Sequence, residues 1–187
     1  MKLYTVQTDQ VLETLAQTGQ CYVKRDYVTQ KYGESASVFL HAYSWYAAYA
    51  SRIVPRPPEA ETAVWTFCQP DYLECHPGSH LLSLEVPLSC CVFFRMGDWN
   101  KILNLRYLGK DRKEEVAFAE KLARQGVSYE GDVVTTPFYP VLKRELLESW
   151  QNLFSYDAAV KTGEIVPYPD MQAGLWCLKQ EWVESDK

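Results

Sequence analysis

Met171-Gln172-Ala173-Gly174-Leu175-Trp176-Cys177-Leu178 reads as an extended segment near the far end of the chain, and a strand placed there needs ladder partners for its amide and carbonyl groups. Upstream segments offer those partners. Residues 3–7 (Leu3-Tyr4-Thr5-Val6-Gln7) read as a short first strand, and residues 63–68 are rich in strand formers. Residues 80–86 alternate cleanly, with Leu82, Leu84 and Val86 on one side and Ser83 and Glu85 on the other. Cys90-Cys91-Val92-Phe93-Phe94 has the length and apolarity of a buried strand. Helical patterns separate these strands without regular βαβ alternation. The expected fold is therefore α+β, a single domain over residues 1–187 with a mixed, mostly antiparallel sheet flanked by about five helices.

The helices are marked by their ends. Thr8 or Asp9 can cap the first, which carries Val11, Leu12, Leu15 and Ala16 on one face and stops at Gly19. A polar turn at Tyr32-Gly33-Glu34-Ser35 precedes the second, which starts near Ser37. Its Val38, Phe39, Ala42, Trp45, Tyr46, Tyr49, Ala50 and Ile53 make a broad aromatic face, and Pro55-Arg56-Pro57-Pro58 cannot continue it. Asp98 is placed to cap a third helix bearing Trp99, Ile102, Leu103 and Tyr107 and ending at Gly109. Asp111 with Glu114 resembles a capping box for a fourth, with Val116, Ala119, Leu122 and Ala123 as its apolar positions and Gly126 as its stop. Leu142, Leu146, Trp150, Leu153 and Phe154 mark a fifth, and residues 157–170 read as a proline-containing loop.

At 187 residues and 47% hydrophobic, the chain can close one sizeable core. Its net charge of −5 argues against binding a phosphate backbone through bulk charge. The N-terminal residues are polar from Lys2 onward, with no secretory hydrophobic segment. The longest apolar-rich stretch, residues 38–54, is broken by His41, Ser44, Ser51 and Arg52, so no membrane span is expected. The location expected from these features is cytoplasmic, and the six cysteines are read as reduced thiols, most of them small core residues. The glycines are scattered singly at helix ends and turns, which excludes Walker and Rossmann phosphate loops.

Two constellations bear on chemistry. Cys68, Cys75, His76 and His80 are residue types that a tetrahedral zinc site uses, but Cys68 lies in an apolar strand and Cys75-His76-Pro77-Gly78 reads as an ordinary turn. A core cysteine and exposed histidines are the preferred reading, and no metal is assigned. The second constellation is aromatic. Trp45, Tyr46, Trp99 and Trp150 have helical-core spacing. Tyr4, Trp65 and Trp176, in contrast, lie on strands beside Gln7, Gln69 and Gln172, a set suited to a cleft that stacks a planar ligand such as a base or nicotinamide.

Several segments, taken together, resemble a known family. They are Leu3-Tyr4-Thr5-Val6-Gln7, Leu82-x-Leu84-Glu85-Val86-Pro87, Asp98-Trp99 followed by Leu103-Asn104, Glu148-Ser149-Trp150 with Phe154, and Gln172-Ala173-x-Leu175-Trp176. The set resembles the bacterial domain-of-unknown-function family 3841 over nearly the whole chain; that resemblance implies no established activity. The opening strand, helix and Gly19 are also similar to the start of ADP-ribosyltransferase-like domains, with Thr5 standing where those domains hold NAD with a histidine. Such enzymes use a strand-borne glutamate, which the segment 172–178 lacks, leaving Glu85 as the carboxylate to consider. The resulting expectation is a nucleotide-binding cleft with NAD as its cofactor and ADP-ribose transfer as its reaction. Tyr4 and Trp176 would stack, Thr5, Gln7 and Gln172 would hold the ligand, and Glu85 would serve electrostatically. The rival expectation is a non-catalytic module that binds a host or phage protein through an acidic, aromatic surface.

Overall fold

A computed structural model describes residues 1–184. In chain order, the elements are β1 (Lys2–Thr8), α1 (Asp9–Thr18), β2 (Gln20–Cys21), α2 (Arg25–Tyr32), α3 (Ala36–Ala50), β3 (Val64–Phe67), β4 (Ser79–Glu85), β5 (Val92–Arg95), α4 (Met96–Leu103), α5 (Arg112–Arg124), α6 (Glu130–Thr135), α7 (Pro140–Ser149), α8 (Asp157–Thr162), β6 (Met171–Leu175) and β7 (Leu178–Lys179). The fold is α+β. The late strand β6 sits inside a five-stranded sheet of order β4-β1-β3-β6-β5, and β2 pairs with β7 in a small second sheet. Every strand pair is antiparallel, so the sheet is not mixed as expected.

Register and alternation assign the two faces of the sheet. Trp65 lies opposite Gly174, Phe67 opposite Gln172, and Phe94 on the other side of Gln172. Cross-strand partners share a face, and this one is covered by α3, which brings the buried Tyr43 and Tyr46 down onto Trp65 and Phe94. The opposite face carries Leu3, Val64, Leu84, Phe93, Met171, Ala173 and Leu175, packed with Leu15 of α1 and Val160 of α8. Gly174 is required by the close approach of α3: a Cβ there would stand 2.1 Å from the Tyr46 hydroxyl oxygen.

Each sheet edge is engaged in part. On β5, the buried Asp157 accepts a hydrogen bond from the Phe93 backbone N–H at 2.8 Å and an ion pair from Lys161 at 2.9 Å. On β4, Val183 bridges Leu84 and the Glu184 N–H donates to the Ser83 carbonyl at 2.9 Å.

Local signals explain which helix ends were foreseen. Gly19 adopts φ 76° and donates to the Leu15 carbonyl, as its place after α1 requires. Asp111 accepts from the Glu114 N–H at 2.9 Å, while the Glu114 carboxylate accepts from the Lys110 N–H at 2.9 Å. Asp98 is not a cap: α4 begins at Met96, which leaves Asp98 in its first turn, and Leu105 at φ 54° follows the end of the helix well before Gly109. On α5 the buried residues are Phe118 and Leu122, with Phe118 stacked on Tyr107 at 4.2 Å and Val116 facing out. Helices α2 and α6 were not anticipated, and α8 replaces the start of the expected 157–170 loop. Each is short and is held by one or two buried aliphatic residues, Val28, Val133 with Val134, and Val160.

Candidate ligand-binding cleft

The sheet opens between β1 and β3. β1 pairs with β4 along all seven of its residues, but with β3 only at Tyr4 and Phe67. Beyond that pair a cleft of about 690 Å³ begins, with residues 5–8 on one side and residues 62–65 on the other. Tyr27, Val28 and Tyr32 of α2 form one wall, Trp99, Asn100 and Leu103 of α4 another, and the 73–79 loop closes a third. That loop turns tightly. Ser79 donates from its N–H to the His76 carbonyl at 2.9 Å and accepts from the His76 N–H at 2.8 Å, with Gly78 at φ 78° supplying the left-handed residue.

The polar groups of the cleft come from the strands. The Gln7 side-chain N–H donates to the Thr5 hydroxyl at 2.8 Å, and that hydroxyl donates to the Trp65 carbonyl at 3.1 Å, which ties the parted strands together. Gln172 lies between Phe67 and Phe94 in the register, is 6% exposed, and its Oε1 is buried without a hydrogen-bond partner. Trp65 meets Tyr43 edge-on at 5.3 Å and tilts against Trp99 at 4.8 Å. Burial pushes the Tyr43 hydroxyl well above its ordinary range, which keeps it neutral.

The structure thus brings Thr5, Gln7 and Gln172 into one cleft with Trp65. Tyr4 and Trp176 do not line it. Tyr4 is half-buried beside Phe67 and Ser83 in the register. Trp176 follows the end of β6 and drops into the core, where its indole N–H donates to the Val54 carbonyl at 2.8 Å. Glu85 lies at the opposite end of β1 from the cleft, exposed and 3.3 Å from the Met1 amine. The carboxylate lining the cleft is Glu74, which the sequence reading passed over, as it did Tyr27, Tyr32 and Asn100.

Cys68, Cys75, His76 and His80 do not gather. Cys68 is buried, Cys75 is exposed, and His80 Nε2 is 2.7 Å from Asp9 Oδ1; among the described residues no cluster of three such ligands forms. Burial pushes the Cys68 and Cys91 thiols up to about 12, so at pH 8 they stay protonated and poorly nucleophilic. In a timed alkylation at pH 8 read by peptide mass mapping, Cys75 should react first and Cys68 and Cys91 only on unfolding. Early labelling of either buried thiol in the folded protein would contradict this packing.

A second, polar cavity of about 350 Å³ lies among Arg95, Asp98, Lys101 and Glu115. Two of its cations are already engaged, Arg95 with Asp170 at 2.9 Å and Lys101 with Glu115 at 2.5 Å. Among the described residues no helix is long and apolar enough to cross a membrane.

Residues 2–184 match the family model described as domain of unknown function DUF3841. The chain belongs to this family. Neither the curated proteins nor the solved structures yield a match. For this DUF3841 chain, function is therefore argued from the cleft itself.

Proposed function

We propose that the cleft binds a small planar nitrogen heterocycle with an amide or amidine-like edge, of the nucleobase or nicotinamide class. The observation that carries this reading is the orphaned Gln172 Oε1, a buried amide oxygen in an aromatic-walled cleft. A buried acceptor left unpaired costs about 1–3 kcal/mol, and a ligand N–H would recover that cost. Trp65, only partly buried and backed by Trp99, supplies ring surface for stacking, and the Gln7–Thr5 relay fixes the mouth of the sheet. NAD enters this reading through its nicotinamide ring. The described lining residues include no Lys or Arg for its diphosphate. Glu85 stands at the far end of β1, so the reading stops at binding and does not extend to ADP-ribose transfer.

The test is a thermal-shift and calorimetric screen with nicotinamide, adenine, adenosine and NAD. Ligand present at a hundredfold over its Kd should stabilise the fold by about 2.7 kcal/mol. Gln172→Leu, of similar volume and without the unpaired oxygen, should fold as well as the parent and lose at least about tenfold in affinity, the scale of one lost hydrogen bond. No shift with any of the four, or undiminished binding by the variant, would reject the cleft as this site.

A second reading, a protein partner, draws on the exposed apolar residues Phe138 and Val141, which are 78% and 65% exposed. A flat ligand screen would transfer the weight to that surface.

A further inference from the structure

We infer that the cleft discriminates by charge, taking a cationic heterocycle such as an N-alkylated pyridinium in preference to its neutral or anionic counterpart. The inference rests on the binding reading above and adds the sign of the ligand. Six aromatic side chains line the cleft: Tyr27, Tyr32, Tyr43, Trp65, Phe67 and Trp99. Aromatic faces carry the negative lobe of the ring quadrupole, with Trp the strongest partner for a cation. Trp99 and Tyr43 are buried and stack on each other at 5.8 Å behind Trp65, so the ring surface that meets the cleft is chiefly that of Trp65, Phe67 and the exposed Tyr27.

The fixed charge in the lining has the matching sign. Glu74 is its carboxylate, carried by the 73–79 loop at the exposed rim; that loop also contributes His76, and the described lining residues include no Lys or Arg. A ring bearing a delocalised positive charge would set that charge against the Trp65, Phe67 and Tyr27 rings, with Glu74 as an outer counter-ion and its amide edge on Gln172. An anionic ring would meet the same faces and Glu74 with repulsion, and no Lys or Arg among the described lining residues would offset the loss of its hydration. The whole chain is also acidic, with a net charge of −5, which favours encounter with cations.

Three ligands of nearly equal shape isolate the charge: N1-methylnicotinamide (cation), nicotinamide (neutral) and nicotinate (anion). Calorimetry on the full chain at low salt should give the cation at least tenfold tighter binding than nicotinamide, and nicotinate weaker than both. Tetramethylammonium, a cation without a ring edge, should compete with the methylated ligand. Glu74→Gln should narrow the ratio of cation to neutral affinity about threefold, because an exposed carboxylate supplies only part of the selectivity. Equal affinity for cation and neutral ligand would overturn the charge inference and leave the binding reading standing. Absence of binding by all three, together with a flat base screen, would overturn both.

Discussion

Gly174→Ala is expected to lower the unfolding free energy by about 3 kcal/mol or more, at the upper end of what overpacking a core costs. The added methyl would be 2.1 Å from the Tyr46 oxygen and 2.8 Å from its ring carbon Cζ, closer than carbon atoms approach without displacement. Tyr46 cannot swing aside. It is 1% exposed and enclosed by the rings of Trp65, Phe94, Trp99, Phe154 and Trp176. Against a typical total of about 5–15 kcal/mol, such a loss should move the denaturant midpoint visibly. Tyr46→Phe alone should be neutral or slightly stabilising, since the buried hydroxyl has no hydrogen-bond partner to lose. Combining the two should recover only part of the deficit, because the ring carbon still crowds the methyl. A Gly174→Ala protein with the parental midpoint would show that α3 does not pack as described.

Asp157→Ala should cost on the order of 3 kcal/mol, because it strips one buried donor of its partner and leaves a lysine without its counter-ion. The donor is the Phe93 N–H, and the lysine is Lys161. Asp157→Asn retains an acceptor for Phe93 and should lose markedly less. Chemical denaturation of the three proteins gives the ordering directly. Equal destabilisation by Ala and Asn would mean that the ion pair, and not the strand amide, is what Asp157 serves.

The strands were legible because period-two alternation survives in the sequence wherever one face is more apolar than the other, as at Leu82, Leu84 and Val86. The same logic flagged Gln7 and Gln172 as polar residues on strands and so reached part of the cleft. Trp176 escaped it because alternation reports a face and not a depth: it follows Gln172 and Gly174 onto the face under α3, where the indole is buried in the core instead of opening to the cleft. Helix α2 escaped because Arg25-Asp26-Tyr27-Val28-Thr29-Gln30-Lys31-Tyr32 has no apolar stripe, its burial resting on Val28. That omission removed Tyr27 and Tyr32, an entire wall, from the sequence-level site. Glu74 lay in a loop, where no periodicity reports which side chains meet a cavity.

The partly engaged margins of the sheet bear on how the molecule can meet others. With Phe93 N–H held by Asp157 on β5, and Ser83 and Leu84 engaged by residues 183–184 on β4, backbone groups on both outer strands are already taken. At these positions the edges offer no template for an incoming peptide to extend. A small molecule, in contrast, can reach unpaired strand between β1 and β3, where the sheet is open from within.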